Sequence, residues 1–114
     1  MAVAYGAANA GVPARNWSFQ DGNQAGTTVA LVDSGVPLVQ GGVYQFIIDV
    51  NPAAKTYVAS VTDGINSFTS GTLRFRSGAT WTSTTNTYIN LGAKVDAAGE
   101  SASYSLDNFR VLPL

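Results

Sequence analysis

Val43-Tyr44-Gln45-Phe46-Ile47-Ile48-Asp49-Val50 is the stretch that decides the fold. Successive side chains of a strand point to opposite faces, so Tyr44, Phe46, Ile48 and Val50 line up on one side. Asn51-Pro52-Ala53-Ala54-Lys55 follows, where asparagine opens a turn and proline presets its φ. The return strand covers Thr56 to Thr62, with Tyr57, Ala59 and Val61 inward. Asp63-Gly64 then supplies the positive φ that a tight hairpin wants and leads into Ile65 to Thr69. Residues 43–69 are therefore expected to form a three-stranded antiparallel meander.

Outward from the meander the signals are shorter. Asn16 to Gln20 and Thr27 to Val32 read as strands flanking the polar loop Asp21-Gly22-Asn23-Gln24-Ala25-Gly26. Thr72 to Arg76 sets Leu73 and Phe75 on one side, Arg74 and Arg76 on the other. Ser77 to Thr87 is glycine, serine and threonine around one tryptophan, the composition of a long exposed loop. Tyr88 to Val95 alternates, with Ile89, Leu91, Ala93 and Val95 inward, and Asp96-Ala97-Ala98-Gly99-Glu100 reads as a hairpin loop. Along Ser101 to Leu112, Ala102, Tyr104 and Leu106 share a phase that Phe109 and Val111 break. A one-residue bulge near Asp107-Asn108 would return both sets to the core. Helical periodicity is nearly absent, and twelve glycines punctuate runs of period two. The expected class is all-β, an antiparallel β-sandwich of about seven strands.

Composition narrows the function classes. A chain of 114 residues, 46% of them hydrophobic, is enough for one domain with one core. Six basic and seven acidic residues leave a net charge of −1, so no basic field exists to release counterions from nucleic acid or to lean on an anionic membrane. Zero cysteines remove disulfides, thiolate metal sites and cysteine nucleophiles together. Zero histidines remove the commonest general base and zinc ligand. No stretch approaches the roughly 18 apolar residues of a transmembrane helix. The first fourteen residues, MAVAYGAANAGVPA, are small and apolar but lack the basic start and continuous apolar run of a signal peptide. They are expected to be a flexible arm or an extended strand, ahead of a single sandwich domain over 15–114.

Residues 43–64, VYQFIIDVNPAAKTYVASVTDG, and the later Tyr104-Ser105-Leu106-Asp107-Asn108-Phe109-Arg110-Val111 carry a likeness. An extended strand, a short turn, a TYxxxVxDG return strand and a closing xLDNFRV strand resemble concanavalin-like jelly-roll domains, the laminin-G and bacterial carbohydrate-binding type. Asn16-Trp17-Ser18-Phe19-Gln20-Asp21-Gly22 resembles their upstream strand. The likeness spans about residues 16–112 and implies a jelly-roll sandwich, an extracellular or cell-surface setting, a glycan partner and, often, structural calcium. Members of that superfamily usually run longer, with strands before the tryptophan-bearing one. A shortened sandwich leaves strand edges and an apolar face uncovered. Two solutions stay open: a reduced sandwich closed on itself, or a homo-oligomer in which the apolar arm adds to the next subunit's edge.

Sugar rings present apolar C–H faces that stack on exposed aromatics. Trp81, in Gly78-Ala79-Thr80-Trp81-Thr82-Ser83, fits as such a platform or as a plug over the sandwich's open end. Trp17 alternates with Phe19, which points to core as well as to ligand. Hydrogen bonding to hydroxyls wants short amides, carboxylates and arginine. Asp21, Asn23 and Gln24 form one such loop cluster, and Arg74 and Arg76 project together about 7 Å apart. Plain turn chemistry also explains the loop, and a solvated, edge-protecting face explains the arginines. Calcium takes about six to eight oxygens, while the acidic residues stand singly; Asp107, at the bulge, is the weak metal candidate.

Catalysis fails by subtraction. Sandwich glycosidases need two carboxylates about 5 Å apart or wider. Their strand signature Glu-x-Asp-x-x-Glu is absent, and Glu100 is the only glutamate. Lyases of this fold rely on histidine, and a serine hydrolase needs a base this chain does not encode. Asn16-Trp17-Ser18 is a glycosylation sequon in a eukaryotic secretory pathway. Two roles follow, neither of them an enzyme. The first is a lectin-like carbohydrate-binding module with Trp81, Trp17, Asp21, Asn23, Arg74 and Arg76 bordering its site and no cofactor. The second is a self-assembling structural subunit of a surface layer, filament or virion, completed by strand exchange between copies. Its low charge and Ser/Thr/Gly-rich surface favour association without strong repulsion.

Overall fold

The computed structural model describes residues 2–4, 16–76 and 103–112. Seven strands run through them: β1 (Ala2–Ala4), β2 (Asn16–Gly22), β3 (Thr28–Pro37), β4 (Gln45–Asn51), β5 (Thr56–Thr62), β6 (Ser67–Thr69) and β7 (Leu73–Arg74). Among the described residues there is no helix, and every strand pairing is antiparallel. The chain divides into two compact units, one holding all seven strands and the other holding 103–112.

The strands make two sheets, β1-β2-β3 and β4-β5-β6, with β7 also paired to β5. The expected meander is there: Gln45 to Asn51 pair with Thr62 to Thr56, and Ser60 to Thr62 with Thr69 to Ser67. β4 occupies one edge of β5, so β6 and β7 share the other, with Tyr57 opposite Leu73. Between them the buried Ser70 bridges the gap. Its amide donates to the Ala59 carbonyl at 2.8 Å, and its hydroxyl accepts from the Ala59 amide at 3.0 Å. A side-chain oxygen thus stands where a ladder carbonyl would be, and 67–74 runs as one interrupted strand.

Period-two alternation builds the core. Along β5, Tyr57, Ala59 and Val61 are buried while their neighbours are not. They pack with Phe19 and Val36 of the other sheet and Leu73 of β7, and Trp17, Val32, Tyr44, Val50, Phe68 and Phe75 close around them. Phe19 stacks on Phe68 across the two sheets, ring centres 6.0 Å apart. Leu73 inward with Arg74 outward is the expected pattern. The β4 row is covered less evenly: Tyr44 and Val50 reach the core, but Phe46 and Ile48 remain 36% and 45% exposed.

Three segments differ from the sequence expectation. β3 extends five residues past Val32, because Ser34 and Gly35 form a ladder irregularity instead of ending the strand. Asn16 pairs with Pro37 and Ser18 with Asp33, so β3 carries extra residues there, with Gly35 at φ 68 and the Ser34 hydroxyl donating to the Trp17 carbonyl. Ile65, expected at a strand start, lies exposed in the 63–66 turn. There the Asp63 carboxylate accepts from the Ile65 and Asn66 amides and closes the turn first. The start of the arm takes the extended form, one of the two expected for it, as a strand paired with β2 of its own chain, Ala2 opposite Phe19 and Ala4 opposite Trp17.

The expected loop 77–87, strand 88–95 and hairpin 96–100 lie outside the described residues. So does the rest of the arm. Residues 103–112 are the third difference: expected within a last strand that returns both apolar sets to the core, they belong to no sheet and are exposed, and Asn108 sits at φ 53, the left-handed conformation, where the sequence phase breaks.

Candidate functional site

The polar residues singled out in the sequence meet at one end of the sandwich, where β2 turns into the loop 23–27 beside β7. Asp21, on β2, holds Arg74, on β7, through a two-pronged pair. Nε reaches Oδ1 at 3.1 Å and Nη2 reaches Oδ2 at 2.7 Å, while the Arg74 amide also donates to Oδ1 at 2.8 Å. Hydrogen bonding from the Arg74 side chain holds the Asp21 carboxyl below its ordinary value, and the pair raises the arginine in return. These two groups satisfy each other.

The loop is likewise tied to the scaffold. Asn23 Oδ1 accepts from the Ala25 and Thr27 amides at 2.8 and 3.0 Å, so the acceptor expected for a ligand closes the turn. Gln24, at φ 59, donates from its amide nitrogen to the Lys55 carbonyl at 3.0 Å and the Ala54 carbonyl at 3.2 Å. The Gln24 and Gly26 amides donate to the Phe75 and Arg76 carbonyls. Gly22 makes this approach feasible, since a Cβ there would collide with the Phe75 and Arg76 backbone.

Trp17 stands away from that cluster. Its ring meets Tyr44 and Phe46 edge-on, centroids 5.5 and 4.9 Å away, and its indole nitrogen is buried without a hydrogen-bond partner. It packs half-buried at the rim of the core. The Asn16 amide nitrogen, the atom a glycan would take, donates to Asp33 Oδ1 at 3.0 Å. Trp81 lies outside the described residues. Asp107 is exposed and accepts from the Asn108 amide at 2.8 Å. Among the described residues no three of His, Cys, Asp and Glu gather as a metal site.

What the sequence did not single out is the wall beside the arginines. Gln20, Ile48, Val50, Tyr57 and Phe75 join Arg74 and Arg76 around an open cleft of about 250 Å³. Its floor is apolar and its rim cationic. The Tyr57 hydroxyl donates to the Gln20 carbonyl across the two sheets, and burial, then the nearby Asp21 charge, pushes the phenol up to about 12. It stays neutral and fixed at physiological pH. A second depression, of about 240 Å³, lies between Gln45 and Ile47 of β4 and Ser60, Thr62, Ser67 and Thr69.

The largest unsatisfied feature is β4 itself. It pairs only with β5 among the described residues, and Ile47 on one face is 53% exposed while Phe46 and Ile48 on the other are only partly covered. An apolar strand unpaired along one edge among the described residues and partly exposed on both faces is an association surface in water. Comparison with protein-family models, with curated proteins and with solved structures finds no match to this chain.

Proposed function

We propose that this chain is a non-catalytic structural subunit that self-assembles through the β4 edge. One observation carries the reading: Phe46, Ile47 and Ile48 are exposed on a strand that, among the described residues, is an edge without the usual protection by lysine, proline or a bulge. The low net charge of the chain supports it, because copies approach with little repulsion. The finer architecture belongs to the same proposal: a concanavalin-like jelly roll in which a neighbouring copy supplies a strand to the β4 edge. Light scattering across a concentration series tests it. The mass per particle should exceed 11.8 kDa at micromolar concentration and fall towards that value in Ile47→Lys, which places a charge on the open strand. A wild-type chain that stays monomeric at millimolar concentration ends this reading.

A lectin-like function is the second reading, and the cleft favours it. Ile48, Val50 and Phe75 together with Arg76 in the lining of the cleft suit the mixed apolar and hydroxyl surface of a sugar. Affinity electrophoresis in polysaccharide gels tests it with Arg76→Ala, since Arg76 is exposed and its loss leaves the core intact. Unretarded migration of the wild type in every polysaccharide removes the sugar reading without touching the first.

A further inference from the structure

Two apolar surfaces in this chain have matching patterns. β4 presents Phe46, Ile48 and Val50 on one face, with Gln45, Ile47 and Asp49 on the other. Residues 103–112 belong to no sheet and are exposed throughout, with Tyr104, Leu106, Phe109, Val111 and Leu112 all more than half exposed. In this segment Tyr104 and Leu106 are out of phase with Phe109 and Val111, and Asn108 at φ 53 lies between the two pairs. A left-handed residue there is the conformation that a one-residue bulge uses to reset strand phase. With the phase reset, Tyr104, Leu106, Phe109 and Val111 form one apolar row, leaving Arg110 on the opposite face.

We infer that the open edge of β4 takes up residues 103–112 of a second copy of this chain as an added strand. The inference rests on the assembly reading and names the occupant of its surface. Charge fixes the register: with Phe109 and Val111 beside Ile48 and Val50, Arg110 falls beside Asp49, the one charge on β4. The added strand gives the β4 edge its backbone partners and sets its apolar row beside that of β4 on the same face. β4 and 103–112 belong to different compact units, the arrangement from which exchange of a strand between copies arises.

The chain has no cysteine, so introduced thiols report without background. One full-length batch carries Asp49→Cys and another carries Arg110→Cys; the two are mixed under mild oxidation and resolved by non-reducing electrophoresis. A disulfide between the two different variants, identified by peptide mass spectrometry of the dimer band and in clear excess over the statistical share of mixed dimers, is expected if β4 of one copy meets 103–112 of another. In parallel, Phe109→Asp with Val111→Asp should weaken association on the order of 100-fold by light scattering, with the circular dichroism of the β-sheets unchanged. If only Asp49→Cys pairs with itself and the Asp variants associate normally, the inference falls while assembly through β4 stands. If a chain carrying both thiols closes only on itself, the strand docks within one copy and the exchange is refuted. Absence of any association sinks both.

Discussion

The carboxylate of Asp21 does the work of a clasp. It binds the Arg74 side chain twice and the Arg74 amide once, joining β2 of one sheet to β7 of the other. Its pKa is lowered from 3.8, so the folded state prefers it charged. The contribution is fully present above that value and drains away as pH falls through the lower folded value. Urea midpoints measured from pH 6 down to pH 2 should therefore fall, and Asp21→Asn should show a lower midpoint at pH 6 with a shallower acid decline. An unchanged decline in the variant would assign it to other carboxylates. Asp63, held down by Asn66, acts in the same window but closes only a local turn. Trp17 poses the opposite case, a buried N–H without a partner. Leaving such a donor unsatisfied costs about 1–3 kcal/mol. Trp17→Phe removes that cost and some packing against Tyr44 and Phe46, so the two effects offset to within about 1 kcal/mol. Trp17→Ala removes the same N–H but loses the whole ring's packing, and a truncation of that kind should still cost about 3–5 kcal/mol. Chemical denaturation of the two variants separates them.

Between residues and molecule stands the pairing of β5 with its split partner. Ser70 replaces a ladder carbonyl, and its hydroxyl is the acceptor for the buried Ala59 amide. Ser70→Ala leaves that amide unpaired, which should cost about 1–3 kcal/mol in thermal or urea unfolding; Ser70→Thr, which keeps the oxygen, should recover most of it. A near-neutral alanine variant would mean that water takes the hydroxyl's place. At this scale the sequence was partly legible. The period-two rows of 56–62 and 73–76 read correctly because alternation depends only on neighbouring residues. β3 read short because Asp33-Ser34-Gly35 is turn chemistry by composition, and only the pairing with Asn16 and Trp17 turns it into a bulged strand. The site was less legible still. Asp21 and Arg74 were both singled out, yet 53 residues separate them, and no local pattern says that they neutralise each other. Likewise Asn23 looks the same in sequence whether its oxygen faces a ligand or caps its own loop. The exposure of Ile47 and Ile48 was invisible for a related reason: an edge strand and a central strand carry the same apolar alternation.

For the whole molecule the consequence of an open β4 is thermodynamic. If copies complete one another, folding and association are one equilibrium, and stability depends on how much protein is present. A tenfold rise in concentration adds about 1.4 kcal/mol to a dimer, or about 0.7 per chain. For a sandwich of this size that should raise the melting temperature by about 3–5 °C per decade. Ile47→Lys should flatten the dependence, because a charge on the exposed side of β4 opposes pairing at that edge without entering the core. The same substitution in a self-sufficient monomer would leave both the melting temperature and its concentration dependence unchanged. Calorimetry from about 10 µM to 1 mM decides between them: a wild-type melting temperature constant across that range would mean that β4 tolerates its exposure, and the assembly reading would fail.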